Sequence, residues 1–239
     1  MFNKILKIFK CLYNLQFIKA YIYFVCPLFE IEDLLKKIKK CHTLIDVGSN
    51  KGQFSILFRN HFHNAKIYSF EPQNDQMEIQ KKVLGFKNIS YSKLGISEFI
   101  GNKKFYITKR KDSSSVHKPK NNYMDIYNVQ RIDNIKMTTL DNYFKNKKIK
   151  TPAIIKLDIQ GHEFEALNGS KKILKNIDYI IIELSYQKKY SNQTDYKKIN
   201  KFLLKNSFKQ IHIANKTFYK KQIYQVDALY KKTNSNSKF

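Results

Sequence analysis

The stretch TLIDVGSNKGQFSILF, residues 43–58, joins a short β-branched and aliphatic run to a glycine-containing turn and an apolar segment. The run ends in an acid, Asp46, and two glycines four residues apart follow it. Glycine lets the backbone approach a ligand closely, and the start of a helix presents free N–H groups. The stretch therefore predicts a strand over 43–48, a binding loop, and a helix over 53–62.

Beyond this stretch, strand and helix patterns alternate along the chain. Strands are predicted at 65–71, 88–97, 153–158 and 179–185, with shorter ones at 103–108, 131–137, 209–214 and 224–232. Helices are predicted at 74–84, 162–175 and 195–206, and the capping-box spacing of Thr138 and Asp141 predicts a further helix start. Alternation with apolar strands predicts an α/β fold: a mostly parallel sheet with helices on both faces.

The chain divides by pattern into three parts: a helical extension over 1–42, a domain over 43–232 and a flexible tail over 233–239. The extension contains an amphipathic pattern at 2–15 and a second helix at 30–40. The first of these is expected either to pack on the domain or to lie on a membrane surface with its lysines toward water. No apolar run reaches the length of about 20 residues that a membrane span requires.

The formal charge of +26 at first suggests nucleic acid or an anionic membrane as the partner. Lysine supplies 42 of the 45 basic residues, and Lys, Asn, Ile, Tyr and Phe are all abundant together. These residues share A/T-rich codons, so a composition bias of the genome explains the charge, and nucleic acid is not favoured. The three cysteines form no C-x-x-C pair, which fits a reducing compartment. We expect a cytoplasmic protein with peripheral contact to the inner face of the membrane through residues 1–29.

The loop after the first strand predicts a nucleoside-containing ligand that carries a positive charge. Its G-x-x-x-G spacing differs from the glycine patterns of nicotinamide sites and of phosphate loops, and an acid before it would repel a pyrophosphate. An acid at the end of the next strand accepts hydrogen bonds from ribose hydroxyls. This order of acid, glycine loop and acid is the signature of S-adenosylmethionine binding. The candidate cofactor-binding residues are Asp46, Gly48, Asn50, Gly52, Glu71 and Pro72.

A second group of polar residues follows the predicted strand at 153–158. Methyl transfer to an alcohol needs a group that removes the hydroxyl proton, and the candidates are Asp158, His162 and Glu183. Lys156 shares a strand face with Asp158 and is expected to form an ion pair there, since a buried lysine is rarely unpaired. Asp158 is also a candidate ligand for a divalent metal. No Asp-Asn pair follows at the next strand end, so no metal site is predicted.

The motifs LIDVGSNKGQFS, SFEP, LGIS, TTLDNYF, IIKLDIQGHEFEALNGS, YIIIELS and VDALY, between about Leu44 and Lys231, resemble those of the FkbM family of S-adenosylmethionine-dependent methyltransferases. The resemblance implies a class I methyltransferase fold, a Rossmann-like three-layer sandwich whose seven-stranded sheet has an antiparallel last strand. Two positions depart from the family pattern. Gln160 stands where many members have Glu, which leaves an acid/base role there open, and His162 stands where a small residue is common.

Three functions are compatible with these observations. The favoured one is O-methylation of a sugar hydroxyl in a surface glycan or its precursor, and the hydroxyl- and amide-rich loop at 112–122 suits such a polar acceptor. The second is RNA methylation, which the positive charge favours but the residues after the fourth domain strand, Asp-Ile-Gln-Gly, do not. The third is a non-catalytic module that binds membrane or nucleic acid on a methyltransferase fold.

Overall fold

The computed structural model of the chain describes residues 14–120, 125–219 and 221–233. Its helices are α1 (Leu15–Ile22), α2 (Glu32–Lys36), α3 (Gln53–His61), α4 (Asn74–Leu84), α5 (Leu140–Tyr143), α6 (Glu163–Asn168) and α7 (Tyr196–Lys205). Its strands are β1 (Thr43–Val47), β2 (Lys66–Phe70), β3 (Ile89–Ser92), β4 (Gly95–Ile96), β5 (Gly101–Thr108), β6 (Val129–Thr138), β7 (Ala153–Leu157), β8 (Tyr179–Ser185), β9 (Phe208–Tyr219) and β10 (Gln222–Lys232).

Seven strands form the main sheet, in the order β3-β2-β1-β7-β8-β10-β9. The pairs from β3 to β8 are parallel, whereas β10 runs antiparallel to both β8 and β9. The strand order reverses between β1 and β7, and in such sheets ligands bind outside the carboxyl ends of the strands at this point. The predicted α/β fold of the class I methyltransferase type, with an antiparallel last strand, is confirmed.

Two apolar clusters cover the two faces of the main sheet. Ile45 and Ile155 belong to one cluster, and their chain neighbours Leu44 and Ile154 belong to the other. Successive side chains of a strand point to opposite faces, so strands buried on both faces read as unbroken apolar runs. Helices α1 to α3 contribute to the second cluster and α5 to α7 to the first. The molecule therefore has three layers, with the sheet in the middle.

A small second sheet, in the order β4-β6-β5, lies between β3 and β7 in the chain. The predicted strand at 88–97 is divided between the two sheets, because β3 pairs with β2 while β4 pairs with β6. Gly95 pairs with Met137 of β6, and a Cβ on Gly95 would lie 2.4 Å from the sulfur of that residue, so the two strands pack closely here. The apolar cluster of this sheet is separate and contains Phe105, Ile107, Val116, Ile135 and Met137.

Several element boundaries differ from the sequence-based predictions. The helix predicted at 162–175 ends at Asn168, and Ile173–Asn176 forms a 3₁₀ turn instead. The predicted capping pair was also wrong, because the hydroxyl of Thr139, and not that of Thr138, accepts a hydrogen bond from the backbone N–H of Asn142. The cap is shifted by one residue because Thr138 is still part of β6.

The described part of the segment before β1 contains two α-helices, α1 and α2. Helix α1 buries Phe17 and Ala20, and α2 buries Leu34 and Leu35 in the same cluster as Leu44 of β1. The amphipathic helix predicted at 2–15 lies almost wholly outside the described residues, as does the tail after residue 233, and the predicted domain boundaries stay a prediction. No helix in the described part of the chain has the length and apolar character needed to cross a membrane.

Candidate functional site

The loop between β1 and α3 is shaped by close contacts with the protein itself. Gly48 has a φ of +77°, and a Cβ on it would lie 2.0 Å from the carbonyl oxygen of Asp158. Gly52 has a φ of +86°, and a Cβ there would lie 2.7 Å from the side chain of Gln80. Gly48 therefore allows the ends of β1 and β7 to approach each other closely, and Gly52 allows α4 to approach the start of α3.

Glu71 follows β2 and holds this loop from the other side. One of its carboxylate oxygens accepts a hydrogen bond of 2.9 Å from the backbone N–H of Asn50, and the other accepts one of 2.8 Å from that of Gln73. Burial raises the pKa of Glu71 to about 7, although these hydrogen bonds work in the opposite direction. Each oxygen keeps further acceptor capacity, so the carboxylate can still bind a ligand's hydroxyl groups.

A cavity of about 580 Å³ opens at the carboxyl ends of the parallel strands. Four of the six predicted cofactor-binding residues line it: Gly48, Asn50, Glu71 and Pro72. All three predicted catalytic residues line it as well: Asp158, His162 and Glu183. The strand-end positions chosen from the sequence thus meet around one cavity.

Asp46 and Gly52, the other two predicted cofactor residues, lie behind the cavity wall. The side chain of Asp46 is fully buried, and one carboxylate oxygen accepts a hydrogen bond of 2.6 Å from the hydroxyl of Ser55. The other oxygen is buried without a hydrogen-bond partner among the described residues. Burial raises the pKa of Asp46, while the ammonium of Lys156 opposes the shift.

Lys156 and Asp158 form the predicted ion pair at the end of β7, with 3.0 Å between Nζ and Oδ2. The amide of Gln160 donates a hydrogen bond of 2.8 Å to the other carboxylate oxygen of Asp158. Burial disfavours the charged form of Asp158, but Lys156 and this amide outweigh it and lower the pKa of Asp158. Both residues line the cavity, and the Asp158 side chain is the more exposed of the two, at 25% against 4% for Lys156.

A second buried pair, which the sequence analysis missed, lies next to the first. Lys189 contacts Glu183 with 3.0 Å between Nζ and Oε1, and the amide of Gln225 donates to the other oxygen of Glu183. Burial raises the pKa of Glu183, and the ammonium of Lys189 opposes this shift. Both side chains are buried, and both line the cavity.

Asp227 is a further acid in the cavity wall that sequence reasoning did not identify. It lies directly opposite Glu183 in the pairing of β10 with β8, and Asn215 donates a hydrogen bond of 2.8 Å to its carboxylate. Burial and the nearby Glu183 raise the pKa of Asp227 to about 7. A charged residue inside the apolar run VDALY was the available signal, of the same kind as Lys156 within AIIKLD.

His162 precedes α6 and has both ring nitrogens engaged. Nδ1 lies 3.0 Å from Nε2 of His117, and Nε2 lies 2.9 Å from the hydroxyl of Ser97. Burial, together with His117 and Lys103, lowers the pKa of His162 to about 3. The next residue, Glu163, supports the loop after β7 by accepting backbone hydrogen bonds from residues 159 and 161.

Comparison with known proteins places these features in a family. The family model described as "Methyltransferase FkbM domain" matches residues 46–210. The hexuronic acid methyltransferase AglP of Haloferax volcanii is 23% identical to this chain over 153 residues, which is 63% of the chain. The match spans only 59% of the length of that relative.

Two solved structures of low sequence identity are similar to this chain, and the first of them shares its fold. The 1,6-didemethyltoxoflavin-N1-methyltransferase of Burkholderia thailandensis is 9% identical and superposes with a TM-score of 0.50, covering 87% of this chain and 78% of its own. Magnesium protoporphyrin IX methyltransferase from Synechocystis is 13% identical with a TM-score of 0.48, covering 92% and 85% of the two chains. Since the family model covers more than half of the sequence, the chain belongs to the FkbM methyltransferase domain family.

Proposed function

We propose that this protein transfers the methyl group of S-adenosylmethionine to a hydroxyl group of a sugar. The observation that carries the proposal is the position of Glu71. Its carboxylate, fixed by the N–H groups of Asn50 and Gln73, lies at the end of β2 and lines the same cavity as Asp158, which follows β7, and Glu183, in the last part of β8. A nucleoside bound at Glu71 thus leaves the other end of the donor facing those acids.

Gly48, Asn50, Glu71 and Pro72 are the residues that hold the cofactor in this proposal. Glu71 accepts hydrogen bonds from the ribose hydroxyls, and Asn50 contributes an amide oxygen that is buried and has no hydrogen-bond partner among the described residues. Such unsatisfied buried oxygens are costly unless a ligand supplies a donor. The cofactor supplies a methyl group on a positively charged sulfur, so the protein needs only to position the acceptor and remove its proton.

The charge of the cavity floor favours a positively charged ligand. Four carboxyl groups surround two ammonium groups in this region: Asp46, Asp158, Glu183 and Asp227 around Lys156 and Lys189. When all four acids are ionised they outnumber the ammonium groups by two, and because burial raises the pKa of Asp46 and that of Asp227, to about 7, a bound cation would favour the ionised forms of these acids. A sulfonium and an α-amino group are therefore stabilised here, whereas a pyrophosphate would be repelled.

Asp158 is the group we assign to remove the acceptor's proton. The pKa of Asp158 is lowered, so its carboxylate is ionised at neutral pH. Its side chain is also the more exposed of the two ion-paired acids, at 25% against 8% for Glu183. Glu183, held by Lys189 and Gln225, orients an acceptor hydroxyl. His162 suits proton transfer less well, because each ring nitrogen has a single hydrogen-bonding position and both are already engaged, whereas each oxygen of Asp158 keeps a second lone pair beside its contact with Lys156 or Gln160.

The acceptor class rests on the chemistry of the cavity and on the family. A sugar presents hydroxyl groups that both donate and accept hydrogen bonds, which carboxylates and amides match. The cavity offers these groups at Glu183, Asp227, Asn215 and Gln225 beside the ring of Tyr224. AglP, a relative with 23% identity, is named for methylation of hexuronic acid, which also favours a glycan or its precursor.

The proposed location is cytoplasmic, with contact to the inner face of the membrane through residues 1–29. In the described part of that range, Leu15, Ile22 and Phe24 are largely exposed, and Lys19 lies in the last turn of α1. Apolar side chains next to lysines are typical of surfaces that bind anionic lipid headgroups. These features support the proposal, which a vesicle-sedimentation assay would test.

The function is tested by incubating the purified chain with methyl-labelled S-adenosylmethionine and fractionated cell extract. We expect the label in the glycan or lipid-linked glycan fraction, and we expect the Glu71→Gln variant to transfer much less. Label found chiefly in RNA would contradict the sugar acceptor and favour RNA methylation. An absence of both label transfer and cofactor binding would support the non-catalytic module.

A further inference from the structure

Three side chains from separate parts of the fold meet beside the cavity: His117, His162 and Glu165. His117 lies in the segment between β5 and β6, His162 precedes α6, and Glu165 is in its first turn. Each contributes one ligand-type atom, and these atoms all lie within 4.8 Å of one another. Both histidines are buried, whereas Glu165 is partly exposed.

The distances between these atoms match the spacing of ligands around a metal ion. The ring nitrogens Nδ1 of His162 and Nε2 of His117 are 3.0 Å apart, and Nδ1 of His162 is 3.5 Å from Oε2 of Glu165. Two ligand atoms bound at about 2.1 Å to a tetrahedral or octahedral metal lie about 3.0–3.4 Å apart. A small inward shift of the Glu165 side chain would complete a three-ligand site.

The surroundings of the cluster favour a metal over a self-sufficient histidine pair. In a simple pair the two imidazoles satisfy each other, but Oε2 of Glu165 is buried and has no hydrogen-bond partner among the described residues. On the far side of the ring, Nε2 of His162 lies 2.9 Å from the hydroxyl of Ser97. Outer contacts of this kind fix the orientation of metal-binding histidines.

We propose that His117, His162 and Glu165 bind a divalent first-row transition metal, with Zn²⁺ as the preferred ion. Two imidazoles and one carboxylate are ligands that such ions accept, whereas Mg²⁺ and Ca²⁺ favour oxygen ligands alone. Three protein ligands leave a coordination position for water or a substrate oxygen. This site would bind metal whether or not the chain transfers methyl groups.

The metal would join the small sheet to the main domain at the cavity. Val116, the neighbour of His117, belongs to the apolar cluster of the small sheet, while His162 lines the cavity. A metal bond across these elements fixes the position of the segment after β5 relative to α6. The site thus determines how rigidly one wall of the cavity is held.

Direct binding of Co²⁺ tests the proposal, because this ion has visible absorption bands when bound to nitrogen ligands. The chain, freed of any affinity tag, is titrated with Co²⁺ and then with Zn²⁺. The variants are His117→Ala and Glu165→Gln, and the matched control is His63→Ala, because His63 is an exposed histidine away from the cluster. Circular dichroism of every variant shows whether it has folded.

We expect about one equivalent of Co²⁺ in the wild type and in His63→Ala, displaced by Zn²⁺, with at least about tenfold weaker binding in the two cluster variants. Zn²⁺ should also raise the melting temperature of the first two proteins by more than that of Glu165→Gln, which retains the shape of the side chain. Binding that is equally strong in folded Glu165→Gln and the wild type, or no stoichiometric binding in the wild type, would overturn the proposal.

Discussion

The carbonyl oxygen of Asp158 occupies the space that a side chain on Gly48 would need, since a Cβ there would lie only 2.0 Å away. Position 48 also has a φ of +77°, where L side chains are strained. This contact fixes the end of β1 against the end of β7. The cofactor loop and the proposed proton acceptor are therefore parts of one rigid unit, and not two independent loops.

Gly48→Ala should lower the free energy of unfolding by about 2–4 kcal/mol, because backbone strain and a steric clash act together. Chemical denaturation measures this change. The control is Gly85→Ala, since Gly85 also has a positive φ but no atom lies within 4 Å of its added Cβ. Because Gly85 has a ψ of −156°, a region adopted almost only by glycine, Gly85→Ala measures backbone strain without a clash. A loss of less than about 1 kcal/mol in Gly48→Ala would show that neither the strain nor the contact with Asp158 contributes appreciably.

The sequence predicted the main sheet well because its strands are buried on both faces. Such strands, for example YIIIELS at Tyr179–Ser185, carry apolar runs whose ends are marked by charged or turn residues. The division of 88–97 between two sheets was not predictable in this way. It depends on which strands are available for pairing with Gly95, and that is decided by segments distant in the sequence.

Part of the site could also be predicted, because the sequence marks where the strands of the main sheet end. Residues after parallel strands meet at one edge of the sheet, so Glu71, Asp158 and Glu183 could be grouped from the order of elements alone. Asp227 was missed because β10 runs antiparallel to β8, so that this acid does not lie near the carboxyl end of its strand as Glu183 does. The contact of His162 with His117, 45 residues away, depends on how the small sheet folds back.

Glu71→Gln should weaken the binding of S-adenosylhomocysteine by about 10–100-fold, since the side-chain amide cannot accept all the hydrogen bonds that the carboxylate accepts. Isothermal titration calorimetry measures the effect. Glu78→Gln, a change of an exposed acid on α4, serves as the control and should bind as the wild type does. Unchanged affinity in Glu71→Gln would place the ribose elsewhere in the cavity.

The pKa of Glu71 predicts a pH dependence of stability. Its value rises from 4.5 to about 7 on folding, so between these values the folded chain holds a proton that the unfolded chain has lost. The contribution of Glu71 to the free energy of unfolding is therefore fully present below pH 4.5 and is lost as the pH rises through 7. The free energy of unfolding should fall by a total on the order of 3 kcal/mol over this range.

Comparison of the wild type with Glu71→Gln isolates this effect, because the other buried acids titrate in both proteins. Denaturation at pH 5, 6, 7 and 8 should show the variant gaining stability relative to the wild type as the pH rises. A difference that stays constant over this range would mean that Glu71 titrates near its ordinary pKa in the folded chain.

Asp158→Asn should lower kcat by about 10²–10⁴-fold, because the amide cannot take the proton of the acceptor hydroxyl. KM for the methyl donor should rise by a smaller factor than kcat falls, since the donor is held mainly at the ends of β1 and β2 and only in part by the negative charge of Asp158. The substitution also leaves the ammonium of Lys156 without its 3.0 Å partner, so some loss of stability is expected and is measured separately by denaturation.

Asp158→Glu, which keeps the charge, should retain stability better while still losing rate through misplacement of the carboxylate. A normal kcat in Asp158→Asn would exclude Asp158 as the base and make Glu183→Gln the next variant to measure.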